Sequence, residues 1–75
     1  MYTAELAPIP TATTPVPDAV FRTTVRDTFS ARTALADAFA RFGVSPQAAH
    51  NFANTTETVW TDFPEVGLSA RIATV

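Results

Sequence analysis

The chain has 75 residues, a formal net charge of −2, 47% hydrophobic residues and no cysteine. This length allows one small domain, and the lack of cysteine excludes a disulfide framework and a thiolate metal site. With only 16% charged residues, the composition is typical of a folded protein. The small negative charge gives the chain no overall field that would attract phosphate groups.

Residues 1–17 are rich in proline and threonine. Pro8, Pro10, Pro15 and Pro17 lack a backbone N–H and favour extended backbone in the residue that precedes each of them. The composition therefore predicts an extended N-terminal arm, followed by a small domain over residues 18–75. The arm is expected either to be mobile or to dock on its own domain or on a neighbouring subunit.

Residues 18–42 have the periodicity of an amphipathic helix. At 100° per residue, one arc of about 140° contains Phe21, Val25, Phe29, Leu35, Ala36, Phe39 and Phe42. Asp18 is placed to cap the N-terminus, and Gly43 can adopt the left-handed conformation that ends a helix. The pattern predicts one long helix whose phenylalanine side must be covered by other groups.

The rest of the chain predicts a short helix and a hairpin. Ser45 can cap a helix that has Pro46 at its first position. Residues 58–63 are rich in strand formers, residues 68–75 alternate with period 2, and residues 64–67 form a turn between them. The predicted fold is mainly α: a long amphipathic helix plus a short helix, with an extended Pro-rich N-terminal arm and a small C-terminal β-hairpin.

The pattern of ionisable residues argues against catalysis. His50 is the only histidine, and its helical neighbours at three and four residues include no acid that could orient it. Asp27 and Asp37 are ten residues apart in the predicted long helix, which separates them by about 15 Å. We therefore expect no enzyme activity, cofactor, metal or small-molecule substrate. The absence of a long apolar segment and of a signal-peptide pattern predicts a cytoplasmic protein.

Several large side chains are candidates for an interaction surface. Arg32 falls inside the apolar arc, where its stem can cover the hydrophobic side or its guanidinium can bind a partner's carboxylate. Trp60 and Phe63 can pack in the core or anchor a partner. The full candidate set is Phe21, Val25, Phe29, Arg32, Phe39, Trp60 and Phe63.

These features favour a non-catalytic interaction or structural subunit that an oligomer or a larger assembly completes. A phage component or a subunit of an accessory complex is an example. The partner is expected to be another protein or a second copy of the chain. A separate hypothesis is a precursor peptide that is modified within residues 55–65, where Thr, Glu and Asp are frequent.

The segment from Phe42 to Phe52 supports a second hypothesis, because Gly43, Val44, Ser45, Ala49 and Phe52 follow the spacing of a known motif. This segment resembles the turn and second helix of bacterial helix-turn-helix regulators. The resemblance implies a small DNA-binding regulator in which Ser45, Gln47, His50 and Asn51 face the major groove. Phe39 stands where that family has a small residue, and the second helix has no Arg or Lys. The regulator also requires residues 18–42 to divide into two helices near Ser30.

Overall fold

The computed structural model describes residues 1–75 and contains two helices and four strands. Their order is β1 (Tyr2–Pro8), β2 (Phe21–Val25), α1 (Thr28–Arg41), α2 (Pro46–Thr55), β3 (Thr61–Phe63) and β4 (Leu68–Thr74). Helices hold 32% of the residues and strands 29%. The protein is a small α+β fold, and the prediction of a mainly α, small helical protein is wrong.

The four strands form one antiparallel sheet in the order β2-β1-β4-β3. β1 pairs with β2 from Tyr2 to Leu6 and with β4 from Tyr2 to Pro8. The first half of the predicted arm is therefore a central strand. Ala4 and Leu6 alternate with Thr3 and Glu5, which is the period of a strand with one face in the core. The prolines begin only at the last residue of β1, so they interrupt neither ladder.

The prediction of one continuous helix over residues 18–42 is also wrong. Residues 21–25 form the strand β2, and α1 begins after Asp27 rather than after Asp18. Phe21 and Val25 are four residues apart, which fits a helix, but with Thr23 they also alternate with period 2. The β-branched Thr23, Thr24 and Val25 favour the strand, and pairing with β1 stabilises it.

The C-terminal half follows the sequence prediction closely. Ser45 caps α2, with Pro46 at the first helical position. Gly43 has φ +88° after α1, and Gly67 has φ +71° in the turn between β3 and β4. The hairpin pairs with β1 of its own chain, so its exposed edge is β3 alone.

Both helices cover the same face of the sheet. α1 packs on β1 and β2, and α2 packs on α1. Three rings meet at the centre: the Phe39 centroid lies 5.5 Å from that of Phe52 and 5.5 Å from that of Phe63. The buried apolar residues around them are Ala4, Leu6, Ala31, Leu35, Ala38, Val44, Ala49, Ala53, Leu68, Ala70 and Ile72. Neither helix has the length and apolar character that a membrane span requires.

Asp27 fixes the start of α1. Its Oδ1 accepts a hydrogen bond of 2.7 Å from the backbone N–H of Ser30. The backbone and then the side chain of Ser30 lower the pKa of the Asp27 carboxyl below its ordinary value, and the charge of Arg26 adds to this. The carboxylate form is therefore the better cap.

This cap predicts a dependence of stability on pH. Because the pKa of Asp27 is lower in the folded chain than in the unfolded chain, its stabilising effect is complete above the unfolded pKa of about 3.9. The effect is lost as the pH falls through the lower, folded value. Asp27→Asn retains an acceptor but does not titrate.

We expect the melting temperature of the wild type, relative to Asp27→Asn, to fall as the pH is lowered from about 7 to about 2.5. Thermal unfolding followed by circular dichroism checks this. The contributions of the other acidic residues are the same in both proteins and cancel in the difference between their melting temperatures. A constant difference over the whole range contradicts the role of Asp27.

Candidate functional site

The predicted interaction residues are divided among three environments. Phe39 and Phe63 lie in the core, and Phe21 and Val25 are half-buried on the core side of β2. Phe29 is 80% exposed and Trp60 is 41% exposed. The structure therefore does not bring the seven candidates together into one surface. Phe21 and Val25 lie on the strand β2 and not on the helix α1.

Arg32 is used within the chain. Its Nη1 donates to the carbonyl oxygens of Ala53, Asn54 and Thr56, at 2.7, 3.2 and 3.1 Å. These carbonyls belong to the last turn and the C-cap of α2, where a cation is favourable. Arg32 thereby ties the end of α2 to α1.

A shallow groove of about 160 Å³ lies between the outer sides of the two helices. Phe29, Arg32, His50 and Asn54 are among its lining residues. His50 Nε2 and the Asn54 side-chain nitrogen are 2.9 Å apart. No group of three or more His, Cys, Asp or Glu side chains could hold a metal ion anywhere in the chain.

The residues expected to contact DNA are all exposed, but their setting differs from the one that the resemblance implies. Ser45, Gln47, His50 and Asn51 lie on α2 or at its cap. Residues 18–42 contain one helix and one strand, so the pair of helices that the regulator hypothesis requires within this segment is not formed.

The face of the sheet opposite the helices carries a row of charges, and we call it the open face. Glu5 is 4% exposed and lies between Arg22 on β2 and Arg71 on β4. Arg22 donates to Glu5 Oε2 at 3.1 Å through Nε and at 3.0 Å through Nη2. Arg71 Nε donates to Oε1 at 3.0 Å, and its Nη2 lies 2.9 Å from the same oxygen.

Trp60, the residue before β3, lies beside Arg71 at one end of this row of charges. The guanidinium carbon of Arg71 lies 4.7 Å from the centroid of the indole ring. This distance is within the range of a cation–π contact. Glu5 thus orients Arg71, and Arg71 in turn holds the ring of Trp60.

A cavity of about 530 Å³ opens at the end of the open face, and we call it the proline cavity. One wall contains Pro8, the last residue of β1, and Ile9, Pro10, Pro15, Val16 and Pro17 from the loop that follows. The other wall contains Ala7, Trp60, Asp62 and Ser69. Ser69 Oγ donates to Asp62 Oδ1 at 2.9 Å and contacts the carbonyl oxygen of Thr61 at 3.1 Å.

Sequence reasoning missed Glu5, Asp62, Ser69 and Arg71 as members of a site. A signal was present in the alternation of β4, because Ser69 and Arg71 must face away from Leu68, Ala70 and Ile72. The pairing of β1 with β4 brings Glu5 to Arg71 across 66 positions of the chain. No local pattern contains that pairing.

The outer edge of β2 is the longer of the two sheet edges. It has five residues, whereas β3, at the other edge, has three and is followed by Pro64. Proline and charged side chains commonly protect an edge strand from pairing. β2 contains no Pro, and its one charged side chain, Arg22, is ion-paired with Glu5 of the neighbouring β1. The backbone on its outer side is therefore open to another strand.

Comparison with protein-family models, with curated proteins and with solved structures finds no match to this chain.

Proposed function

We propose that this chain is a non-catalytic interaction subunit that assembles with a second copy of itself through the outer edge of β2. The observation that carries the proposal is the five-residue outer edge of β2, which is the longer of the two edges of the sheet. An open edge offers a row of backbone donors and acceptors to an added strand. A cytoplasmic location is part of the proposal, since a small chain without cysteine does not rely on disulfides.

The sequence of β2 fits pairing with its own copy. In an antiparallel arrangement with a two-fold axis at Thr23, the residue opposite Thr23 is the same threonine of the second copy. Phe21 then lies opposite Val25, which is a favourable aromatic and β-branched pair, and Arg22 lies opposite Thr24. No two like charges are directly opposite, and each Arg22 remains bound to Glu5 of its own chain.

The pairing would also cover apolar surface. Phe21, Thr23 and Val25 are only half-buried in the single chain and lie on the core side of the sheet. Val20, immediately before β2, is 46% exposed. A second copy at this edge would extend both the sheet and the apolar layer beneath it.

The test is the mass of the protein in solution. Sedimentation or light scattering of the wild type at high protein concentration is expected to give twice the chain's mass of 8.0 kDa. Thr23→Lys places two lysine side chains opposite each other at the axis and is expected to give the monomer mass. A wild type that is monomeric at every concentration overturns the proposal.

Thr61→Lys is the matched control. Thr61 is also a half-buried threonine in an edge strand, but it lies on β3, at the opposite edge. The charge change is the same, so the mass of Thr61→Lys is expected to equal that of the wild type. Loss of the dimer in this variant, with Thr23→Lys still dimeric, would place the interface at β3 and contradict the proposal.

A further inference from the structure

We infer that the proline cavity binds a small-molecule amine that has an apolar body. The cavity of about 530 Å³ falls within the range of about 300–1,000 Å³ that is typical of small-molecule sites. Like those sites, it combines apolar walls with few polar groups. The cavity shares no residue with β2, so this inference is independent of the proposed assembly.

The apolar wall is held in position before any ligand binds. The loop after β1 is hydrogen-bonded at both ends. The backbone N–H of Ile9 donates to the carbonyl oxygen of Gly67 at 3.2 Å, and that of Val20 donates to the carbonyl oxygen of Leu6 at 2.8 Å. Within the loop, the backbone N–H of Thr11 donates to the carbonyl oxygen of Thr14 at 3.0 Å. The proline rings restrict the backbone further. A preformed wall reduces the entropy that binding would otherwise cost.

Trp60 provides an aromatic surface beside that wall. Arg71, which does not line the cavity, lies over the indole and is itself bound to Glu5. The ring is therefore held by a chain of contacts that starts at a buried carboxylate. Indole is the aromatic group that interacts best with cations and packs well against apolar groups.

The carboxylate of Asp62 favours a ligand with a positive charge. Asp62 is the one charged residue that lines the cavity. Ser69, which is 1% exposed, donates to Oδ1 of Asp62 and so orients the carboxylate. No protein donor bonds Oδ2, which leaves this oxygen for a ligand. An ammonium group on Asp62 would satisfy the carboxylate, with the apolar body of the ligand against the prolines and Trp60.

Because Trp60 is the only tryptophan, its fluorescence reports on the cavity directly. The probes are phenethylamine, the neutral 2-phenylethanol and the anionic 3-phenylpropionate, which share a phenyl group and differ in charge. We expect a saturable change in Trp60 emission with the amine. The alcohol is expected to bind about tenfold more weakly, and the anion more weakly still.

Asp62→Asn removes the charge and retains an oxygen that can accept from Ser69. We expect this variant to bind the amine about tenfold more weakly and the alcohol with unchanged affinity. Glu65→Gln is the matched control, since Glu65 is an exposed acid three residues away that does not line the cavity. Its affinities are expected to equal those of the wild type, and near-UV circular dichroism verifies that both variants are folded.

Three results would overturn the inference. The first is equal affinity for the amine and the alcohol, and the second is an equal loss of amine binding in both variants. The third is tighter binding of a short lysine peptide with blocked termini than of any free amine, which would assign the cavity to a protein side chain instead.

Discussion

Phe39→Asp is expected to abolish folding. Phe39 is fully buried and its ring contacts those of Phe52 and Phe63, so the change removes the centre of the core. Loss of a buried Phe side chain costs about 3–5 kcal/mol, and burying an unpaired charge adds to this. The total is comparable with the whole stability of a domain of this size, about 4–11 kcal/mol at 0.05–0.15 kcal/mol per residue. Far-UV circular dichroism and thermal unfolding check the result.

Phe29→Asp is the control for this prediction. Phe29 lies on the same helix but is 80% exposed, and it lies in the first turn, where an acidic group is favourable. We expect this variant to fold with a melting temperature close to that of the wild type. A folded Phe39→Asp variant with the melting temperature of Phe29→Asp would contradict the position of Phe39 at the centre of the core.

Glu5→Ala is expected to lower the free energy of unfolding by about 2 kcal/mol. The change leaves Arg22 and Arg71 facing each other without the carboxylate that both bind. The cost stays below that of a fully buried ion pair, because the side chains of Arg22 and Arg71 are 64% and 36% exposed and water can solvate them. Urea unfolding measures the loss as a lower midpoint at an unchanged slope.

Glu57→Ala is the matched control for Glu5→Ala, since Glu57 is an exposed acid without an ion pair. Its effect is expected within about 0.5 kcal/mol of zero. Glu5→Ala is also expected to change the emission of Trp60, because Arg71 loses the contact that holds it over the ring. A variant with wild-type stability and emission would contradict the linked arrangement of Glu5, Arg71 and Trp60.

The elements that the sequence predicts correctly have local signals. Ser45 and Pro46 mark the start of α2, and Gly67 allows the turn between β3 and β4. These signals depend on a residue's own backbone preferences or on hydrogen bonds to near neighbours. They do not require knowledge of the rest of the fold.

The elements that the sequence predicts wrongly depend on distant partners. β2 satisfies both a helical and a strand pattern, and its pairing with β1 decides between them. β1 is a central strand because β4, at the other end of the chain, pairs along its full length. The prolines after β1 suggest an arm, yet they form the loop that carries one wall of the proline cavity.

The candidate site could be predicted only in part for the same reason. The sequence predicts that Trp60 packs in the core or anchors a partner, and the structure places it in the wall of the cavity. Asp62 and Ser69 come from two strands of the hairpin, and the proline wall comes from the opposite half of the chain. The cavity exists only after β1 has paired with β4.

Assembly through β2 is tested most directly by mixing two variants of opposite charge at the two-fold axis. Thr23→Lys and Thr23→Glu are each expected to have the monomer mass of 8.0 kDa, because like charges face each other. An equimolar mixture is expected to regain twice that mass, since opposite charges at directly paired strand positions attract. A mixture that stays monomeric, while the wild type forms a dimer, would contradict the pairing of Thr23 with itself.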